Sequence, residues 1–127
     1  MATVTVTKDN FESLVESSSM LVLDFWASWC GPCRTFGPIF EAASERHPDV
    51  VFGKVDTEAE PELAGAFGIQ GIPSTVYYRE QVPIHMQAGL LPAEALDQIL
   101  QQVRDLDMEL VRTEMAKRAA EHEQGEA

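Results

Sequence analysis

A buried strand that leads directly into a pair of cysteines constrains the fold more than any other feature of the chain. Residues 20–26 form a nearly continuous apolar run, which is typical of a central strand covered on both faces. Cys30 and Cys33 follow at once. Pro32 between them suits the first turn of a helix, where its missing N–H is not needed. Apolar residues three and four apart continue this helix to Arg46, so the junction of a strand and a helix holds both sulfurs.

The rest of the chain alternates strands and helices in the same way. We predict strands at 3–6, 50–55, 74–78 and 82–88, and helices at about 11–17, 60–67 and 91–104. Strand-helix-strand units have parallel strands with right-handed crossovers, and the last two strands are close enough for a hairpin. The pattern predicts an α/β fold with a mixed sheet of about five strands and helices on both faces.

The length of 127 residues predicts one domain, which we assign to residues 1–104. Residues 105–127 form a charged helical extension that continues the last helix and frays from about Glu121. Leu106 and Leu110 prolong the apolar stripe of that helix, which then thins out. We interpret the extension as a solvated terminus, with a partner-binding or self-associating helix as the alternative.

The net charge of −12 predicts repulsion from nucleic-acid phosphates and from anionic lipid headgroups. The longest apolar run has eight residues and contains Asp24, whereas a membrane span needs about 20. The first residues lack the basic and apolar regions of a signal peptide. We therefore expect a cytoplasmic monomer without nucleic-acid or membrane partners.

The spacing of the two cysteines assigns them different chemical roles. Cys30 at the helix start faces unsatisfied backbone N–H groups and the positive end of the helix dipole. Both effects lower the pKa of its thiol toward neutrality, and the thiolate is the nucleophile in disulfide exchange. Cys33 lies one turn deeper, where the helix shields it. We therefore expect Cys30 to attack a client disulfide and Cys33 to resolve the mixed disulfide.

Three other uses of the cysteine pair fit the sequence less well. A structural disulfide across so short a loop gains little entropy. A zinc site would need two further ligands, and His47, His85 and His122 are scattered without ligand spacing. Haem attachment requires a histidine directly after the second cysteine, where this chain has Arg34. We expect neither a metal nor a prosthetic group.

The segment 22–34, which contains Trp29-Cys30-Gly31-Pro32-Cys33, closely resembles the active-site segment of the thioredoxin family. Three further segments resemble family motifs in the family's order: Lys54-Val55-Asp56 in the third strand, Gly71-Ile72-Pro73-Ser74 in the cis-proline loop, and Ala88-Gly89 after the last strand. The resemblance covers about residues 3–104. It implies the thioredoxin fold and general reduction of oxidised client proteins. Electrons would come from NADPH through a thioredoxin reductase.

The resemblance also implies roles for residues around the cysteines. Asp24 would exchange a proton with Cys33, often through water, although a structural buried acid is the alternative. Lys54 would face Asp24, with a solvent-facing strand lysine nearly as compatible with the spacing. Gly31 and Pro32 look like the dipeptide of reducing family members.

An apolar client-docking patch is implied as well. It comprises Trp29, Gly31, Pro32, Ile72, Pro73, Ala88 and Gly89. Sequence alone favours a trans bond before Pro73, but the resemblance implies a cis bond. The backbone before that proline would then hydrogen-bond an extended client and keep metal from the thiols.

Two other functions remain open from the sequence. One is a disulfide oxidase or isomerase of the same fold, and the other is a redox-independent binding or chaperone module.

The chain also departs from the family at Gly37, which should loosen the helix beside Pro38. At residues 79–81, the usual Asn-Gly type of turn is missing, which predicts a longer or bulged loop.

Overall fold

The computed structural model describes residues 2–125 and contains every predicted strand and helix. The strands are β1 (Thr3–Thr5), β2 (Met20–Trp26), β3 (Val51–Asp56), β4 (Ser74–Arg79) and β5 (Val82–Ala88). The helices are α1 (Phe11–Ser17), α2 (Gly31–Arg46), α3 (Pro61–Ala66), α4 (Ala93–Arg104) and α5 (Met108–Gly125). Through α4, the predicted order is confirmed and the predicted bounds lie within about two residues of the observed ones.

The five strands form one mixed sheet in the order β1-β3-β2-β4-β5. β1 and β2 both pair with β3 in parallel, whereas β4 runs antiparallel to β2 and to β5. The expected mixed sheet of about five strands is therefore confirmed. β2 lies at its centre, which explains why its sequence is apolar on both faces.

Alternation along β2 directs its side chains into two separate cores. Met20 and Val22 pack toward α2 and α4, whereas Leu21, Leu23 and Phe25 pack toward α1 and α3. Asp24 has the same parity as Met20 and Val22, so its side chain is on the α2 face. The only charged residue of β2 is thereby placed beneath the helix that begins at the cysteines.

The β4–β5 connection differs from the predicted longer loop. Only Glu80 and Gln81 separate the strands, and both have left-handed backbones with φ of 49° and 70°. The Glu80 N–H donates to Ser19 O at 2.8 Å, and Gln81 Nε2 donates to Glu16 O at 3.0 Å. These contacts with the end of α1 and with the loop that follows it hold a tight turn without glycine. The irregularity lies within the hairpin instead, as a register shift between Tyr77 and Tyr78.

The last helix does not continue into the extension as expected. Arg79 Nη1 donates to Val103 O at 2.8 Å and to Arg104 O at 2.7 Å, which satisfies carbonyls at the end of α4. Asp107 Oδ1 then accepts from the N–H groups of Glu109 and Leu110 at 3.1 and 3.3 Å. A side chain that accepts from the second and third N–H groups caps a new helix.

α5 therefore starts afresh at Met108 and continues to Gly125, and the last two residues of the extension lie outside the described residues. Met108 is buried, and Arg112 pairs with Glu80 of the hairpin turn. Beyond these first contacts, α5 is mostly exposed.

Candidate active site

Cys30 and Cys33 lie at the N-terminus of α2 and form a disulfide with their Cα atoms 5.2 Å apart. Cys30 is the N-cap residue of the helix, and the Cys33 N–H donates to Cys30 Sγ at 3.2 Å. An N–H group that points at this sulfur stabilises the negative charge that reduction places there. The structure thus contains the helix-start geometry on which the expected low pKa of Cys30 depends.

The cis-proline loop lies against the sulfur of Cys30. The Ile72–Pro73 peptide bond is cis, as the resemblance implied. Ile72 O lies 3.6 Å from Cys30 Sγ. The Gly89 N–H donates to Pro73 O at 2.8 Å, and Ala88 pairs with Ser74 in the β4–β5 ladder. These contacts bring the predicted patch residues of two distant segments together beside Cys30.

Two large apolar side chains are exposed next to these segments. Trp29, which directly precedes Cys30, is 66% exposed, so it is not a core ring. Leu90 directly follows Gly89 and is 45% exposed. The client-docking patch predicted from the sequence includes Trp29 but not Leu90. Its position after the small pair Ala88-Gly89 was the available signal.

Asp24 is almost completely buried and lacks a full set of hydrogen bonds. Only 1% of its surface is exposed, and its Oδ1 atom has no hydrogen-bond partner among the described residues. Burial raises the pKa of Asp24 from 3.8 to about 7, and the positive charge of Lys54 opposes part of that rise. A carboxyl group with a pKa near neutrality both accepts and releases protons under ordinary conditions.

A cleft of about 320 Å³ connects Asp24 to Cys33. We call it the Asp24 cleft, and its walls include Asp24, Cys33, Arg34, Gly37, Glu41 and Lys54. Lys54 is the register partner of Asp24 on β3, and its ammonium lies 5.3 Å from the centre of the Trp26 ring. Of the two orientations that the sequence left open for Lys54, the structure has the one that faces the Asp24 side.

Apart from Cys33, the helix residues that line this cleft were not identified from the sequence. Cys33, Gly37 and Glu41 follow each other at intervals of four, which places them on one face of α2. That spacing was visible in the sequence. The spacing could be interpreted only once the sheet had placed Asp24 on this side of the helix.

Among residues 2–125, no group of three or more histidine, cysteine or acidic side chains is arranged to hold a metal ion. His47 instead contacts Asp97 at 2.8 Å and Arg104 at 3.1 Å, which ties the end of α2 to α4. No helix in the described part of the chain is both long enough and apolar enough to cross a membrane.

Comparison with known proteins gives one consistent result. The thioredoxin family model matches residues 2–102. A putative thioredoxin 2 of Streptomyces coelicolor is 52% identical over 120 residues, which are 94% of this chain and 90% of that protein. A thioredoxin of Alicyclobacillus acidocaldarius is 36% identical over 97 residues, covering 76% of this chain and 92% of its own.

Solved structures of thioredoxins share the fold. Mitochondrial thioredoxin 3 of Saccharomyces cerevisiae in its oxidised form superposes with a TM-score of 0.74 at 28% identity, covering 79% of this chain and 94% of that one. The thioredoxin of Malassezia sympodialis gives a TM-score of 0.71 at 30% identity, covering 79% of this chain and 89% of that one.

Proposed function

The chain belongs to the thioredoxin family and is a protein-disulfide oxidoreductase, and we propose that Cys30 attacks client disulfides while Cys33 resolves the product. Thioredoxins work through their own cysteine pair, without a prosthetic group. The observation that carries the proposal is the Cys33 N–H that points at Cys30 Sγ from the first turn of α2. It distinguishes the two sulfurs, because only that of Cys30 receives this hydrogen bond.

In the first step, the Cys30 thiolate attacks one sulfur of the client disulfide. A bond forms between Cys30 and that sulfur, the client S–S bond breaks, and the second client sulfur leaves as a thiolate that takes up a proton. In the second step, Cys33 attacks Cys30 Sγ and releases the first client sulfur. The client gains two electrons, and the chain is left with the Cys30–Cys33 disulfide seen in the structure.

We propose that Asp24 accepts the proton of the Cys33 thiol in the second step. Both residues line the Asp24 cleft, and a carboxyl group with a pKa of about 7 is suited to this exchange. Lys54 supports the carboxylate through its positive charge. Gly31 and Pro32 support the pair by occupying the first turn of α2 between the two sulfurs.

Family members interact with reductases and with client proteins. For this chain, we propose clients that dock on the patch of Trp29, Ile72, Pro73, Ala88 and Gly89. We also propose a thioredoxin reductase that returns two electrons from NADPH to the disulfide. A dithiol that must be kept reduced suits a reducing compartment, so cytoplasmic action is part of the proposal.

We propose that residues 1–104 form the redox domain, that residues 105–127 are an extension of it, and that the chain acts as a monomer. The family model ends at residue 102, which supports this boundary. The Streptomyces relative aligns with 94% of the chain, so the similarity to it extends into α5.

Insulin reduction tests the proposed function. The oxidised chain is mixed with insulin and dithiothreitol, and precipitation of the released B chain is followed by turbidity. We expect the chain to raise the rate of precipitation well above that with dithiothreitol alone. The Cys30→Ser variant should give only the rate that is measured without the chain. A rate equal to the dithiothreitol blank would contradict the proposal and favour a binding module.

A further inference from the structure

The second half of β5 has its polar and apolar residues in the reverse of the usual arrangement. β5 is the last strand in the sheet order, and exposed positions of an edge strand are usually polar or charged. Here Gln87 is half-buried, and the ring of His85 lies 5.8 Å from the ring of Tyr77. Met86 and Ala88 are the exposed residues instead, with 45% of Met86 accessible. Packing inside the domain therefore does not explain why these two positions are apolar.

The register of the sheet places Met86 on the same side as the client-docking patch. Ala88 is the register partner of Ser74, and Met86 is the register partner of Val76. Register partners direct their side chains to the same face of a sheet. That face covers the core to which Val76 belongs and against which Ile72 packs. The patch, which includes Ile72 and Ala88, thus continues along β5 to Met86, about 7 Å beyond Ala88.

The distance from Met86 to the reacting sulfur suits an extended client. Ile72 O lies 3.6 Å from Cys30 Sγ, and the register partner of Met86 is four residues beyond Ile72. An extended chain advances by about 3.3 Å per residue. A client with its disulfide at Cys30 would therefore bring a side chain about three to five positions away beside Met86. The flexible thioether of methionine adapts to apolar partners of different shapes.

We propose that Met86 is a specificity-determining residue that forms an apolar subsite at the end of the client-docking patch. It favours clients that carry an apolar side chain about three to five residues from the attacked cysteine. The inference rests on the proposed function, because only reaction at Cys30 brings a client to this position. Isolated exposed hydrophobic residues are common, but Met86 continues an apolar surface that leads to the reacting sulfur.

The experiment uses disulfide-linked homodimers of a serine-rich peptide that contains one cysteine. Leucine replaces serine in turn at each of the six positions on either side of that cysteine. Reduced chain is mixed with an excess of each peptide disulfide and quenched with acid, and its oxidation is followed by intact mass. Relative to the peptide without leucine, we expect the second-order rate constant to rise about fivefold for a leucine three to five residues from the cysteine.

Substitutions at Met86 show whether this residue causes the preference. Met86→Ser and Met86→Gln should each remove the gain in rate constant, and the two provide the same comparison if one of them does not fold. Met86→Leu, which keeps an apolar side chain, should retain the gain. Met115→Ser is the matched control, because Met115 is 48% exposed but lies on α5. It should retain the gain as well.

The proposal would be overturned if leucine at these positions gave no gain, or if the gain persisted in both Met86→Ser and Met86→Gln. Loss of the gain in Met115→Ser would overturn it too, by assigning the preference to exposed methionine in general. Each of these results leaves disulfide reduction intact, because the peptide without leucine still oxidises the reduced chain. A chain that reduced none of the peptides would instead contradict both the proposed function and the role of Met86.

Discussion

Asp24 and Lys54 are register partners on the adjacent parallel strands β2 and β3, yet the lysine offsets only part of the cost of burying the acid. The pKa of Asp24 remains at about 7 because desolvation is the larger effect. A carboxyl group held in this way destabilises the fold at high pH. Such a cost is typical of residues retained for chemistry, because structural acids are usually paired.

The contribution of Asp24 to the stability of the oxidised protein should fall as the pH rises from about 4 to 7. In this window the folded state still binds a proton on Asp24 that the unfolded chain, with a pKa near 3.8, has lost. The full penalty above pH 7 is roughly 4 kcal/mol, from about three pKa units at about 1.4 kcal/mol each. Asp24→Asn should therefore stabilise the protein at pH 8 by up to this amount, and hardly at all at pH 4.

Guanidinium unfolding of the oxidised form at both pH values measures this difference. Asp9→Asn, an exposed substitution, is the control and should change the free energy of unfolding by less than about 0.5 kcal/mol. If Asp24→Asn raised the free energy of unfolding equally at pH 4 and pH 8, burial of the charge would not be the cause of the stabilisation.

The N-terminus of α2 should lower the pKa of the Cys30 thiol in the reduced protein. Thiolate absorbance near 240 nm in Cys33→Ser, which leaves Cys30 as the single cysteine, reports its ionisation directly. We expect a midpoint below the ordinary value of about 8.5. Unfolding the same variant in urea should return the midpoint to that value. Equal midpoints in the folded and unfolded states would show that the helix start does not stabilise the thiolate.

The parts of the site that could be predicted from the sequence are those formed by residues close together along the chain. The β2–α2 junction follows from an apolar run next to Cys30 and Cys33, and the order of strand and helix segments along the chain was enough to predict the sheet. The Asp24 cleft was not predictable in the same way. Which face of α2 meets Asp24 depends on the packing of the helix on the sheet, so Gly37 and Glu41 had no visible role.

The start of α5 was missed for a related reason. A continuous apolar stripe through Leu106 predicted one long helix. The stop depends on Arg79, which is more than twenty residues away in the sequence and reaches the last carbonyls of α4. Long-range side-chain caps of this kind leave no local signal.

Met108 should anchor the extension to the domain. It is 5% exposed, whereas Met115, which lies about two turns further along α5, is 48% exposed. Met108→Ala should lower the free energy of unfolding by about 2 kcal/mol or more. The matched variant Met115→Ala should change it by less than about 0.5 kcal/mol. Insulin reduction should be unaffected by both, and equal destabilisation by the two variants would contradict the observed burial.

Trp29 should contribute to the binding of protein clients more than to the chemistry. Because its ring is exposed beside Cys30, Trp29→Ala should raise KM for insulin about tenfold, equivalent to roughly 1.4 kcal/mol. Reduction of a small aromatic disulfide such as dithiobis-nitrobenzoate should change little. Leu110→Ala, which removes an equally exposed apolar side chain on α5, is the control. An equal loss of reduction rate with both substrates would show that Trp29 acts in the chemical step.

The division of labour between the two cysteines is tested most directly by trapping the mixed disulfide. Reduced Cys33→Ala and reduced Cys30→Ala are each incubated with oxidised insulin, quenched with acid and analysed by intact mass. We expect a long-lived insulin adduct on Cys30 in Cys33→Ala and almost none in Cys30→Ala. A comparable or larger adduct on Cys33 in Cys30→Ala would contradict it.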